Sequence, residues 1–120
     1  MQTLFKNYRF LATIVLLIFV DMFWLLTGGI FARRMLEQIQ NAPLAPRYIS
    51  ALVVYCALAY LVLKTKSVGE AFMLGVAVYA VYDFTNLAVF QDYDWRFAIA
   101  DSIWGGVLFT CVHLILKSFS

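Results

Sequence analysis

Three aspartates, Asp21, Asp83 and Asp101, interrupt the most apolar stretches of a 120-residue chain. Trp24, Tyr82, Asn86 and Trp104 stand close to them in sequence. A carboxylate placed in hydrocarbon costs about 2.5–3.5 kcal/mol on insertion scales, so it is retained with a partner or a purpose. Two kinds of chemistry suit such a set. Carboxylates in a low-dielectric cavity can exchange protons or hold a cation. They can also accept hydrogen bonds from indole, amide and hydroxyl donors on neighbouring helices and act only as clamps. Asp21 and Trp24, Asp83 and Asn86, and Asp101 and Trp104 are each spaced i,i+3, which puts each pair on one side of a helix. The D-x-x-W pattern therefore occurs twice, at Asp21–Trp24 and at Asp101–Trp104.

Other reactive residue types carry less. His113 is the single histidine and supplies neither a metal cluster nor a base beside a nucleophile; a hydrogen-bonded position near a helix end is its simplest role, a proton relay the sharper one. Cys56 and Cys111 lie in apolar runs, in no CxxC pair, and read as small buried hydrophobes. Two acids formally satisfy an intramembrane aspartyl hydrolase, but the surrounding motifs of that class are absent. A non-enzymatic role is expected, with a lipid- or pigment-modifying enzyme as the third reading. No metal site is indicated, and the sequence leaves any cofactor unknown. Tyr55, Tyr60, Tyr79 and Tyr82 are candidates to line the same interior.

The elements that must position these residues follow from composition. The chain is 64% hydrophobic and 13% charged, against about 45–50% and about 25% for a soluble domain. The bilayer is the expected solvent, in one transmembrane domain over residues 1–120. The net charge of +2 forms no basic stripe, so nucleic acid is not an expected partner. Spans are expected at about 10–31, 48–63, 70–90 and 96–116; the second is short of the roughly 20 residues needed to cross hydrocarbon, with Tyr48 and Lys64 to reach the interfaces, and the others are near that length. The first follows Lys6 and Arg9 but is too long, and too interrupted by Asp21, for a cleaved signal peptide. After Arg33 and Arg34, apolar residues at 35, 36 and 39 predict an interfacial helix over 33–40. Pro43 and Pro46 then make a loop. Ser67 and Glu70 match a capping box, Asp94 an N-cap, and Tyr93 and Trp95 an aromatic belt.

Short connections predict an all-α, integral membrane four-helix bundle. Asp83 lies about seven residues before the last turn and Asp101 about six after it, so at ~1.5 Å per residue both sit on the order of 10 Å below one surface. Trp24 falls at the same depth and Asp21 about one helical turn deeper. The acids are thus expected to converge in one half of the membrane, with Arg33, Arg34 and Arg96 at the rim. Lys6, Arg9, Lys64, Lys66 and Lys117 collect on the opposite face, against Arg33, Arg34, Arg47 and Arg96 on this one, and this near-balance keeps the positive-inside rule from fixing the orientation. A single orientation with the N-terminus inside is preferred over antiparallel insertion. A homo-oligomer is expected.

At these residues the chain resembles a known family. Tyr82-Asp83-Phe84-Thr85-Asn86-Leu87-Ala88 followed by Asp101-Ser102-Ile103-Trp104-Gly105 is similar to the signature of small four-helix membrane proteins catalogued as domain of unknown function 2177. Asp21-Met22-Phe23-Trp24-Leu25, Arg33-Arg34 and Tyr55 match the same pattern. The chain departs from it at Leu26-Thr27-Gly28-Gly29, where the family carries a tighter Trp-Leu-Gly sequence. The resemblance implies four membrane helices and a shared polar constellation, and no reaction. The leading functional expectation is movement of protons, cations or a small cationic solute past Asp21, Asp83, Asn86 and Asp101. The alternative is an assembly protein whose polar network only clamps helices.

Overall fold

A computed structural model describes residues 8–45 and 47–119; Lys6 of the basic face and Pro46 of the expected loop lie outside them. The described residues form five helices: α1 (Arg9–Leu25), α2 (Gly28–Gln40), α3 (Tyr48–Val62), α4 (Val68–Val89) and α5 (Trp95–Ser118). The expected all-helical class is present. The expectation of one straight helix over 10–31 is corrected, because α1 and α2 meet at a 75° bend.

Local chemistry accounts for the bend. The Thr27 hydroxyl donates to the carbonyls of Phe23 and Trp24, at 2.8 and 3.3 Å. Its backbone leaves the helical region at φ −116° and ψ −82°. Such a side chain competes for carbonyls that would continue the ladder, and the two glycines after it resist helix weakly. Gly28 has a further role. A Cβ there would lie 2.7 Å from the Trp24 indole, so the bare backbone lets that ring fold over the break.

α2 then runs off at an angle with an apolar face of Met35, Leu36 and Ile39, packed with Tyr93, Phe97 and Ala98 at the α4–α5 turn. Arg33, Arg34 and Gln38 face outward. It ends at Asn41 in the left-handed region, φ 56°, where the Ala42 amide bonds back to the Glu37 carbonyl. α4 begins as the capping pattern predicts, with the Glu70 amide donating to Ser67 Oγ at 3.1 Å. α5 begins at Asp94, whose carboxylate accepts from the Arg96 amide at 2.8 Å.

α5 is the central element, burying Ala98, Trp104, Leu108, Phe109, Val112 and Leu116. It packs closest against α4, where glycines remove the spacing that side chains impose. A Cβ on Gly105 would lie 2.5 Å from the Gly75 carbonyl and from the Tyr79 ring, and one on Gly106 would lie 2.6 Å from Val76. Small residues at a helix crossing are what association in lipid uses in place of hydrophobic force. α1 and α3 complete the core through Ile14, Leu17, Leu58, Ala59 and Val62.

Outward faces are apolar: Phe19, Phe23, Ile49, Val53 and Met73 are all exposed. In water such a surface would aggregate, whereas lipid covers it. α4 and α5, with 22 and 24 residues, are long and apolar enough to cross a membrane; the bent α1–α2 pair would count as a third crossing, and α3 is a shorter apolar helix.

Candidate functional site

The three aspartates come together, and each is met by aromatic donors from another part of the chain. Asp21 on α1 accepts from the Tyr55 hydroxyl of α3 at 2.5 Å and from the Trp104 indole of α5 at 2.8 Å. Asp101 on α5 accepts from the Trp24 indole of α1 at 2.7 Å. The two D-x-x-W patterns are thus cross-bonded, the tryptophan of each donating to the aspartate of the other. Their indoles stack between the acids, with centroids 5.6 Å apart and planes 12° from parallel. One helix alone cannot make this arrangement, because the i,i+3 partners share a face but serve opposite helices.

Asp83 is the most secluded of the three, at 0% exposure. Its Oδ1 accepts from the Tyr93 hydroxyl at 2.7 Å. Its Oδ2 is buried without a donor, and its carboxyl faces that of Asp101. Such an orphaned oxygen is rare in buried polar groups and calls for an explanation. Asn86 stands beside the Tyr93 hydroxyl. Tyr93 itself lies in the turn before α5, at 4% exposure. Burial, and then its bond to Asp83, hold its hydroxyl in the neutral donating form, well above the ordinary titration range.

A cavity of about 390 Å³ opens beside these groups. Asp21 and Asp101 reach its wall along with Trp24, Tyr79, Tyr82 and Tyr93, and the rest of the lining is apolar. The volume falls within the roughly 300–1,000 Å³ of small-molecule sites. Asp83 and Trp104 lie behind that wall. No set of three or more His, Cys, Asp or Glu groups is arranged to hold a metal ion among the described residues.

Several expected residues sit elsewhere. The rim arginines do not reach the acids: Arg33 pairs with Glu37 at 3.6 Å, Arg96 with Asp94 at 3.3 Å, and Arg34 is exposed. Long guanidinium side chains reach these local acids without desolvation, which accounts for the choice. Tyr60 points outward under Lys64, whose Nζ lies 4.7 Å from the ring centre, and so does not line the interior. Tyr82 lines the cavity mouth but is 57% exposed. Tyr93, assigned by its flank position to the aromatic belt, is instead the donor to Asp83. Its signal in sequence is position alone: the turn folds it back within reach of a residue ten places earlier. His113 bonds Thr65, with Nδ1 2.9 Å from Oγ1; nothing around Thr65 in the sequence points to that contact.

Comparison with known proteins returns one family and no individual relative. No curated protein and no solved structure matches the chain significantly. The model of a family described as a predicted membrane protein matches residues 7–116, which includes every acidic and aromatic group of the cluster. The chain belongs to this membrane-protein family, domain of unknown function 2177.

Proposed function

We propose that the cavity is where the protein takes up and passes a proton or a small cationic solute, with Asp101 and Asp21 as the groups it meets and Asp83 as their reserve of negative charge. The observation that carries this reading is the Asp83–Asp101 contact: two carboxyls face each other, one oxygen has no donor, and no basic side chain lies between them. Excess negative charge in a low-dielectric site needs a neutralising partner, and a proton or a bound cation is what remains. The mostly apolar wall favours a proton or an organic cation with an apolar body over a hydrated metal ion, which takes six or more oxygens in the case of calcium or magnesium. Stacked indoles at the wall suit such a cation as well.

The geometry that goes with it is a multi-pass membrane fold. α4 and α5 cross fully, α1 crosses and turns at Thr27 into an α2 that lies along the interface, and α3 makes the remaining pass with Tyr48 and Lys64 anchored at the surfaces. In this arrangement the cavity lies in the half of the bilayer next to α2.

Reconstitution tests the proposal. Proteoliposomes holding a pH-sensitive dye should acidify faster than empty vesicles under an inward proton gradient, and tetraethylammonium should slow that entry by competing for the cavity. Rates equal to those of empty vesicles, for protons and for tetraethylammonium itself, would sink the reading.

A second reading is supported by the donors. Each acid is bonded to an aromatic group outside its own helix, which is how a purely structural clamp would look. It predicts lower thermal stability on substitution of the acids with no flux to lose.

A further inference from the structure

The far end of the helices carries a second pocket of opposite character. It encloses about 180 Å³ where the first turn of α1 meets the ends of α3 and α5. Arg9, Lys66 and Lys117 line it together with Thr65 and His113, and among the described residues no acidic side chain is part of its wall. The nearest carboxylate in sequence, Glu70, is occupied in capping α4, accepting from the Lys66 amide at 3.3 Å.

His113 shows which way the pocket is set. It is 8% exposed, so nine-tenths of it is buried. The Thr65 hydroxyl has one proton, and at 2.6 Å it gives that proton to the Val62 carbonyl. His113 Nδ1, 2.9 Å from the same oxygen, must therefore be the donor in their contact. That leaves Nε2, the other ring nitrogen, as an acceptor without a partner among the described residues. The carbonyls that close α3 are already bonded: those of Ala59, Leu61 and Val62 are taken by the amides of Leu63, Lys64 and Thr65. Tyr8 makes no side-chain cap bond to α1, and the first turn of α1 holds no acid.

We propose that this pocket binds a phosphate group, carried by an anionic phospholipid at the membrane surface or free in solution. The pieces match the ligand. Arg9 offers a fork of donors, Lys66 is a point charge that can follow a mobile headgroup, and the buried His113 ring, fixed by its bond to Thr65, shapes the floor. Val62, Leu63 and Leu116 complete the wall, apolar side chains against which an acyl chain would lie while its phosphate meets the cations. The site is separate from the acidic cavity and stands or falls independently of any transport there.

The test uses the full chain in a neutral detergent. Native mass spectrometry with dioleoyl-phosphatidylglycerol and dioleoyl-phosphatidylcholine reads lipid binding. Thermal shift with inorganic phosphate, against chloride at matched ionic strength, reads the free anion. The variant is Arg9→Gln with Lys66→Gln, both near or at the surface. A charge-matched control, Lys64→Gln with Arg47→Gln, removes two cations outside the pocket. Retention of phosphatidylglycerol over phosphatidylcholine, weakened at least about tenfold in the variant and unchanged in the control, is expected from the loss of two charge-assisted contacts. Binding of both phosphatidylglycerol and inorganic phosphate assigns the site to phosphate as such; phosphatidylglycerol alone assigns it to a lipid headgroup, and inorganic phosphate alone to the free ion. No preference for either phosphate source, or equal losses in variant and control, overturns the proposal.

Discussion

Asp83 has one oxygen held by Tyr93 and one held by no donor, inside a part of the protein that water does not reach. Everything specific about the site follows from how that charge is balanced. Removing its single donor should therefore be felt. Tyr93→Phe keeps the ring and its edge contact with Phe97 at 6.1 Å but strands both Asp83 oxygens. An unsatisfied buried acceptor costs about 1–3 kcal/mol, so the melting temperature in detergent should fall. An unchanged value would mean that Asp83 draws its stability from elsewhere. At this scale the acids, the asparagine and both tryptophans are legible in the sequence, since polar groups in apolar runs stand out. The donors are less so. Tyr55 is a candidate to line the interior but has no partner in the sequence, Tyr93 reads as a belt residue, and only the fold brings Tyr55 within 2.5 Å of Asp21.

Among the elements, the α4–α5 hairpin and the break between α1 and α2 decide the geometry. The hairpin depends on backbone contact at Gly75 and Gly105. Gly105→Ala would place a methyl 2.5 Å from the Gly75 carbonyl, and separating the helices to relieve it should cost about 1–3 kcal/mol, the usual range for overpacking. Thermal unfolding monitored by circular dichroism checks this, and a variant as stable as the parent would show that the crossing is not close-packed. Gly28→Ala has a subtler expected effect: it pushes the Trp24 indole away from Asp101, so tryptophan emission should shift while helix content stays constant. The cap of α5 adds a pH dependence. The Arg96 amide and guanidinium hold the half-buried Asp94 carboxyl below its ordinary range. A depressed folded value means stability that is present above the ordinary carboxylate pKa and lost as pH falls through the folded one. The stability gap between wild type and Asp94→Ala should therefore be open at neutral pH and close in strong acid; a gap that widened on acidification would contradict the cap. The positions of α3, α4 and α5, both caps and the amphipathic face of α2 follow from the sequence by period and end signals. The bend does not, because Leu26-Thr27-Gly28-Gly29 continues an apolar run and only the Thr27 back-bonds and the Trp24 ring show where the helix stops.

For the molecule as a whole, two ends of opposite chemistry emerge: an acidic, aromatic cavity near α2 and a cation-lined pocket where α1 begins and α3 and α5 end. The family match over 7–116 takes in the whole acidic cavity and all of the second pocket's lining except Lys117. A site and a clamp differ in whether the acidic end holds a proton or cation or merely fastens helices. Asp83→Asn separates the two, since the amide keeps the volume, still accepts from Tyr93 and can donate to Asp101, while the charge is gone. Proton entry into proteoliposomes containing equal amounts of folded wild type and Asp83→Asn is the measurement. For a proton- or cation-holding site, entry falls to the level of empty vesicles in the variant while its melting temperature holds or rises. Undiminished entry in the variant, or a wild type no faster than empty vesicles, would contradict it.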